Sequence, residues 1–387
     1  MLRRSNSIQL VIAQSDNGFI DNQVKVIYAY FFVVKEKYRH IDEYLALISW
    51  DNKLSQKRIK EMREYAYHLC DLNLPVIYDQ EHFSQLVGYE YYYVLALSNE
   101  PEKYYKEYQI PKKHGRMRTI EEPYPDLKYI QSWILKNILE KVCKHYVSVV
   151  SKAFTPGCRL RDNVRFHRGK KQVVVLDIKD FFTNVSFGTV YGVFLKMGYT
   201  RALATLFTKI CTYRECLPQG APTSPMLSNM VMFEFDGKLW EYCKKRKVNY
   251  TRYADDMTFS GDDIKIAHLI TYVNQGLPDK LCLNKEKTNV MGRGRSQRVT
   301  GIVVNDKVQV PRKYRDRIRQ EIYYCIKYGV GAHRQRLSDL PKWIKDDKQY
   351  IRHLLGKINY VLQVNPKDLV FAGYSRWLKE QYRLCEG

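Results

Sequence analysis

The chain is short of acidic residues. It has 41 Asp and Glu against 64 Lys and Arg over 387 positions, a formal net charge of +23. An excess of that size favours a polyanionic partner, nucleic acid first. Long apolar runs are missing, so no segment reads as a bilayer span and no membrane partner is expected. The opening stretch MLRRSNSIQLVIAQSDNGFI pairs basic residues with an apolar patch. Gln and Ser interrupt that patch and no cleavage site stands out, so it does not read as a secretory leader. No C-x-x-C pair occurs among the 9 cysteines, which excludes zinc-ribbon spacing. They read as small buried hydrophobes or unpaired thiols in a reducing cytoplasm. No repeat period or low-complexity segment stands out.

What is present is ordinary in bulk. A hydrophobic fraction of 45% suits a globular chain, and the length suits two or three subdomains. Tyr is abundant at 32 residues, more than a core needs, and a ring at the surface can stack on a base or sugar. Residues 1–75 read as a helical extension, with Leu45, Ile48, Ile59, Met62, Tyr65 and Leu69 near helical spacing. The stretch 78–106 is mostly helical, with Tyr91–Val94 ambiguous. Two β-compatible arms, Tyr108–Ile110 and Arg116–Ile120, flank a Lys-Lys-His-Gly turn. An amphipathic helix follows in LKYIQSWILKNILEKV.

The run QVVVLDI at 172–178 is apolar and β-branched, the pattern of a buried central strand that ends near Asp177. CLPQGAPTSPMLSNMVMFEFDGKLWEYCKKR is a Pro- and Gly-rich loop opening a long helix with Ser or Thr available as a cap. NYTRYADDMTFSG reads as a hairpin with Asp255 and Asp256 at its tip, and RVTGIVVNDKVQVP as another. Past Pro311 the pattern is helical and basic.

Adjacent carboxylates repel. A hairpin lying beside the 172–178 strand would bring Asp177, Asp255 and Asp256 together, and a hard divalent cation would offset the repulsion. Two such ions about 4 Å apart can activate an attacking hydroxyl and stabilise a leaving pyrophosphate. An isolated Asp-Asp is far more often an ordinary turn. Here its company decides: VVVLDIKDFF, LPQGAPTSPMLSN and YADD, in that order, resemble the reverse transcriptase family across most of residues 80–310.

The resemblance implies an α+β right-hand polymerase. Fingers with parts of the palm would span 76–170, and the palm, an antiparallel sheet carrying the Asp triad, 171–310. A basic helical thumb would span 311–387. It implies catalysis by Asp177, Asp255, Asp256 and Lys287, and two Mg²⁺ ions (Mn²⁺ being the alternative) at Asp177, Ile178, Asp255 and Asp256. Deoxynucleoside triphosphates would meet Lys112, Lys113, Arg118, Ile178, Phe182 and Gln219. Phe182 would exclude a ribose 2′-OH, with Phe181 the core aromatic of the pair. Lys287 would protonate the departing pyrophosphate, or is a plain surface lysine after a strand.

Two further motifs resemble the bacterial retron branch: NVRFH at 163–167, with Val164 where the branch has Ala, and VTG at 299–301. The branch implies a cytoplasmic enzyme that copies part of a cognate structured noncoding RNA into DNA from a 2′-OH of that RNA. It also implies an effector protein from the same locus in antiphage defence. Asn163 and His167 would contact RNA. So would Arg312, Arg315 and Arg319, spaced along one helical face. Trp343, Tyr350 and Tyr360 would lie on the duplex. Residues 1–75 would meet RNA, the effector or a second copy of the chain. The alternatives are a group II intron or diversity-generating enzyme, a template-independent transferase, or an RNA-binding scaffold on the same fold.

Overall fold

The computed structural model describes residues 38–52, 54–111, 117–278 and 280–385. The expectations for residues 1–37, and for Lys112 and Lys113, lie outside these residues. Helices Arg39–Asn52 and Gln56–Asp71 form where the apolar spacing places them. The second is capped by Ser55, whose hydroxyl accepts from the Arg58 amide at 3.2 Å. Its buried Leu69 joins the main hydrophobic core. Tyr91–Asn99 is helical, which resolves the ambiguous stretch. Strands β1 (Tyr105–Pro111) and β2 (Met117–Pro123) then pair antiparallel, with Tyr108 opposite Ile120. Six of the seven β1 residues are exposed, so the hairpin stands out from the body.

The central sheet is built from β3 (Gln172–Asp177), β4 (Asn249–Tyr253), β5 (Asp256–Gly261) and β6 (Asn289–Gly292) in the order β4-β5-β3-β6. All neighbours are antiparallel, and Asp177 is paired with Asp256. Alternation gives β3 two apolar faces. Val174 and Leu176 enter the main core with Met257 and Phe259, beneath helices Phe187–Lys196, Arg201–Cys211 and Phe233–Lys245. Val173 and Val175 face a second core, and by the same period Asp177 is on their side.

That second core is made by helices Arg312–Tyr328, Asp347–Val364 and Leu369–Leu384. Strands β7 (Arg298–Val299) and β8 (Ile302–Val303) belong to it through buried Val299 and Ile302. Their turn, Thr300 at φ 46° and Gly301 at φ 82°, has the two left-handed residues a tight hairpin needs.

Three expectations change. The long helix after the PQG loop is broken at Met232 into Ser224–Val231 and Phe233–Lys245. Thr223 precedes it in helical backbone and makes no side-chain capping bond. Tyr350 is fully buried in the second core, so it cannot lie on a duplex; Trp343 is exposed.

Candidate active site

The β4–β5 turn is tight because Ala254 takes φ 57°, left-handed for a residue with a Cβ. Asp255 follows in the turn, and its carbonyl accepts from the Ile178 amide at 3.0 Å, tying the end of β3 to the tip. Asp177, Asp255 and Asp256 are thus assembled by sheet register. A cleft of about 1400 Å³ opens over them, lined by Arg118, Ile178, Phe182, Gln219, Asp255 and Lys287 among others. Six residues singled out in five separate sequence segments therefore meet at one cavity. Both Phe181 and Phe182 line the cleft; Phe181 is buried in the main core, whereas Phe182 is only partly buried against it.

The charges there are unbalanced. Burial, then the Asp177 charge, raises the Asp255 carboxyl above the usual range; Lys287 and Arg118 oppose this. Burial, then Asp255 and Asp177, pushes Asp256 up to about 6. The Lys287 Nζ sits 2.8 Å from Asp177 Oδ2. Burial alone would lower the ammonium, but the bond to Asp177 and the other two carboxylates outweigh it and hold it charged.

Among the described residues, no three His, Cys, Asp or Glu side chains are gathered tightly enough to hold an ion unaided. The site nonetheless fits a hard divalent cation. Asp177 Oδ1 is a buried acceptor with no hydrogen bond, beside two carboxylates that disfavour each other's charge. Such ions take one or two carboxylates and complete their shell with water and substrate phosphates. The Ile178 side chain has no donor atom, so only its main-chain carbonyl could join such a shell.

Gln219 is held by a residue that sequence reasoning missed. Its amide donates to Glu121 Oε2 at 2.9 Å, and its carbonyl accepts from the Glu121 amide at 3.0 Å. Gly220 follows at φ 153°, where a Cβ would lie 2.5 Å from the Glu121 carbonyl oxygen. Glycine is required there because β2 crosses so close to the loop.

Arg252, inside TRYADD, was missed as well. It is fully buried and forms a 2.6 Å ion pair with buried Asp236, which also accepts from the Tyr250 hydroxyl. Its Nη1 donates to the Ala254 carbonyl and to Asn229 Oδ1, each at 3.0 Å. An Arg one strand residue from the turn was the available signal, hidden because its polar partners come from a distant helix.

The NVRFH expectation is corrected. Asn163 and His167 are both fully buried and present nothing to an RNA. The His167 ring nitrogens lie 2.8 Å from Ser260 Oγ and Thr251 Oγ1, and burial lowers its pKa to about 3, so it stays neutral. Asn163 Oδ1 accepts from Thr251 Oγ1 at 2.7 Å, and its amide reaches Thr300 Oγ1 at 3.4 Å. The two motifs therefore meet inside the protein and brace the sheet against the β7–β8 turn. In the basic row, Arg312 and Arg319 both pair with Asp316, at 3.3 and 2.6 Å, and Arg315 donates to the Val310 carbonyl. Asp316 thus offsets part of that charge at the surface, where Arg312 stays exposed.

Residues 110–313 match the family described as reverse transcriptase (RNA-dependent DNA polymerase). The chain is 30% identical over 307 residues to the retron Ec86 reverse transcriptase of Escherichia coli, covering 78% of this chain and 89% of that one. It is 29% identical over 339 residues to the retron Mx65 reverse transcriptase of Myxococcus xanthus, covering 80% and 78%. Among solved structures, telomerase from Candida albicans with a TWJ fragment of telomeric RNA aligns at 12% identity, covering 72% of this chain and 60% of that one, with a TM-score of 0.42. Reverse transcriptases use divalent metal ions, an RNA template and nucleotide substrates, which agrees with the cation-seeking carboxylates and the cleft above them. With the fingers hairpin, the carboxylate-bearing sheet and the helical C-terminal unit in place, the chain belongs to the retron reverse transcriptases and is an RNA-directed DNA polymerase of right-hand fold.

Proposed function

We propose that this polymerase copies part of a cognate structured noncoding RNA, beginning at a 2′-OH of that RNA, into a branched RNA–DNA product. The observation that carries the catalytic reading is the pairing of Asp177 with Asp256, with Asp255 at the adjoining turn, beneath a cleft shared by Arg118, Phe182, Gln219 and Lys287. Asp177, Asp255 and Asp256, with the Ile178 carbonyl, would hold Mg²⁺, which when bound supplies Lewis-acid assistance to the attacking hydroxyl and the departing pyrophosphate.

The protein's own groups do the rest. Arg118 stands at the cleft on the fingers hairpin and neutralises triphosphate charge. Gln219, fixed by Glu121, offers its side chain to the incoming nucleotide. Phe182 closes the space that a ribose 2′-OH needs. Lys287, charged and half in solvent, is suited to deliver a proton to pyrophosphate. The net charge of +23 suits retention of a folded RNA. A bacterial cytoplasmic setting, an effector from the same locus and a part in antiphage defence complete the reading by kinship with the retron relatives.

The test is to purify the chain expressed from its native locus and sequence the nucleic acid it carries, before and after RNase and debranching treatment. One short DNA joined through a 2′ linkage to one RNA supports the reading. Bound RNA with no DNA, despite Mg²⁺ and all four deoxynucleotides, overturns it. Asp255→Ala with Asp256→Ala should abolish the DNA while RNA binding persists.

A further inference from the structure

Phe154 lines the active-site cleft, opposite nothing that sequence reasoning would attach to it. The residue is 47% exposed, and its backbone sits at φ 58°. A bulky residue in left-handed backbone is a true outlier. This one gains neither full burial nor a relaxed conformation. Strain of that kind persists only where the surroundings over-determine it.

The surroundings do so here. Fully buried Asn229 donates from Nδ2 to the Ala153 carbonyl at 2.8 Å. Its Oδ1 accepts from Ser151 Oγ at 2.8 Å and from Arg252 Nη1 at 3.0 Å. The Lys152 amide donates to the Arg252 carbonyl at 2.8 Å. Thr155 Oγ1 lies 3.2 Å from the Ala153 and Ser151 carbonyls. The same Arg252 Nη1 holds the Ala254 carbonyl, one residue before Asp255. One buried guanidinium thus fixes the carboxylate turn and, through Asn229, the residue before Phe154.

Sheet order says which end of the cleft the ring occupies. Ser151 bridges Arg252 in parallel, so the segment before Phe154 extends the sheet past β4. Lys287 lies just before β6, at the opposite edge. Lys287 therefore bounds the cleft on the β3 side, where Phe181 and Phe182 also line it, and Phe154 bounds it on the β4 side. Triphosphate belongs with the cation, and a base pair formed over Asp255 reaches toward the ring. Building on the polymerase reading, we propose that Phe154 is a stacking platform for a nucleobase of the RNA template, at or next to the position being copied. The ring acts as a positioning surface, and the strained backbone presents it.

The experiment uses the full chain with an RNA template, an annealed DNA primer and 5-iodouracil placed in turn along the template, at the primer end and on the incoming nucleotide. After irradiation, the expected result is a crosslinked peptide containing Phe154 from a template label at or beside the copied position. Crosslinking of Phe154 only from the primer or incoming nucleotide, or from no label, overturns the proposal. Crosslinking needs binding and no chemistry. A chain that makes no DNA on any RNA would therefore count against the polymerase reading alone. In single-nucleotide incorporation, Phe154→Leu should lower kcat/KM on the order of tenfold, with Phe154→Tyr close to the parent. Phe154→Gly relieves the backbone and should leave the thermal midpoint unchanged or higher while incorporation falls as for Leu. Full activity in the Leu variant, or a lower midpoint in the Gly variant with activity falling in step, would reduce the ring to a structural element.

Discussion

Lys287 donates from Nζ to Asp177 Oδ2 across 2.8 Å, linking the short turn that precedes β6 to the end of β3. The ammonium holds the carboxylate oxygen that a metal ion would also seek. Lys287→Met should therefore have two effects of opposite sense. Half-saturation by Mg²⁺ should move to lower concentration, and kcat should fall by about 10²-fold, the lower end for loss of a proton donor. A divalent-ion titration of incorporation rate reads both. Unchanged kcat would make the lysine a charge balance only.

Asp256 supplies a pH dependence whose sign is fixed. Its folded pKa of about 6 lies above the usual 3.8. The folded state therefore favours the protonated form. That contribution to stability is fully present below pH 3.8 and is lost as pH rises through about 6. Thermal midpoints in chelator should show it as a component falling between about pH 4 and 6.5 that is missing in Asp256→Asn. Mg²⁺ should restore the midpoint most at neutral pH.

Phe182→Ala should admit ribonucleotides. The ratio of kcat/KM for a deoxynucleotide to that for its ribonucleotide should drop by about 10²-fold or more. Competition assays with matched pairs measure it. An unchanged ratio would move the gate to another residue of the cleft.

The Arg252–Asp236 pair is buried on both sides, so removing one partner strands a charge. Asp236→Ala should cost about 3–5 kcal/mol in urea unfolding. Because the same guanidinium bonds the Ala254 carbonyl, residual folded enzyme should also incorporate more slowly.

His167→Phe should disturb the sheet rather than RNA affinity. Losing its bonds to Ser260 and Thr251 should cost about 1–3 kcal/mol. The salt dependence of RNA binding should stay as it was, since no phosphate contact is removed.

The sequence made the catalytic register legible for a physical reason. A β-branched run ending in Asp and a hairpin tip of two Asp are local patterns, and antiparallel pairing brings them together. Phe182 and Gln219 were reached through the resemblance of their motifs to the family, and both line the cleft. NVRFH was visible as a motif and misread in role: nothing local says whether Asn and His face water or Thr251 and Ser260. The basic row was legible as a helix face, but not that Asp316 would pair with two of its three arginines at the surface. Arg252 and Phe154 escaped altogether. Arg252 is paired with Asp236, and the Ala153 carbonyl just before Phe154 is held by Asn229, contacts to helix residues that the local sequence does not announce.

The two faces of β3 have a practical consequence. Val174 and Leu176 press against one core, Val173 and Val175 against the other, and Met291 of β6 joins the second. The C-terminal helices are thus the outer wall of the sheet that carries Asp177. Cutting the chain before Arg312 would leave Val173, Met291, Val299 and Ile302 facing water. The sheet and the C-terminal helices cannot be expressed as independent halves, and truncation would yield an aggregating fragment rather than a smaller polymerase.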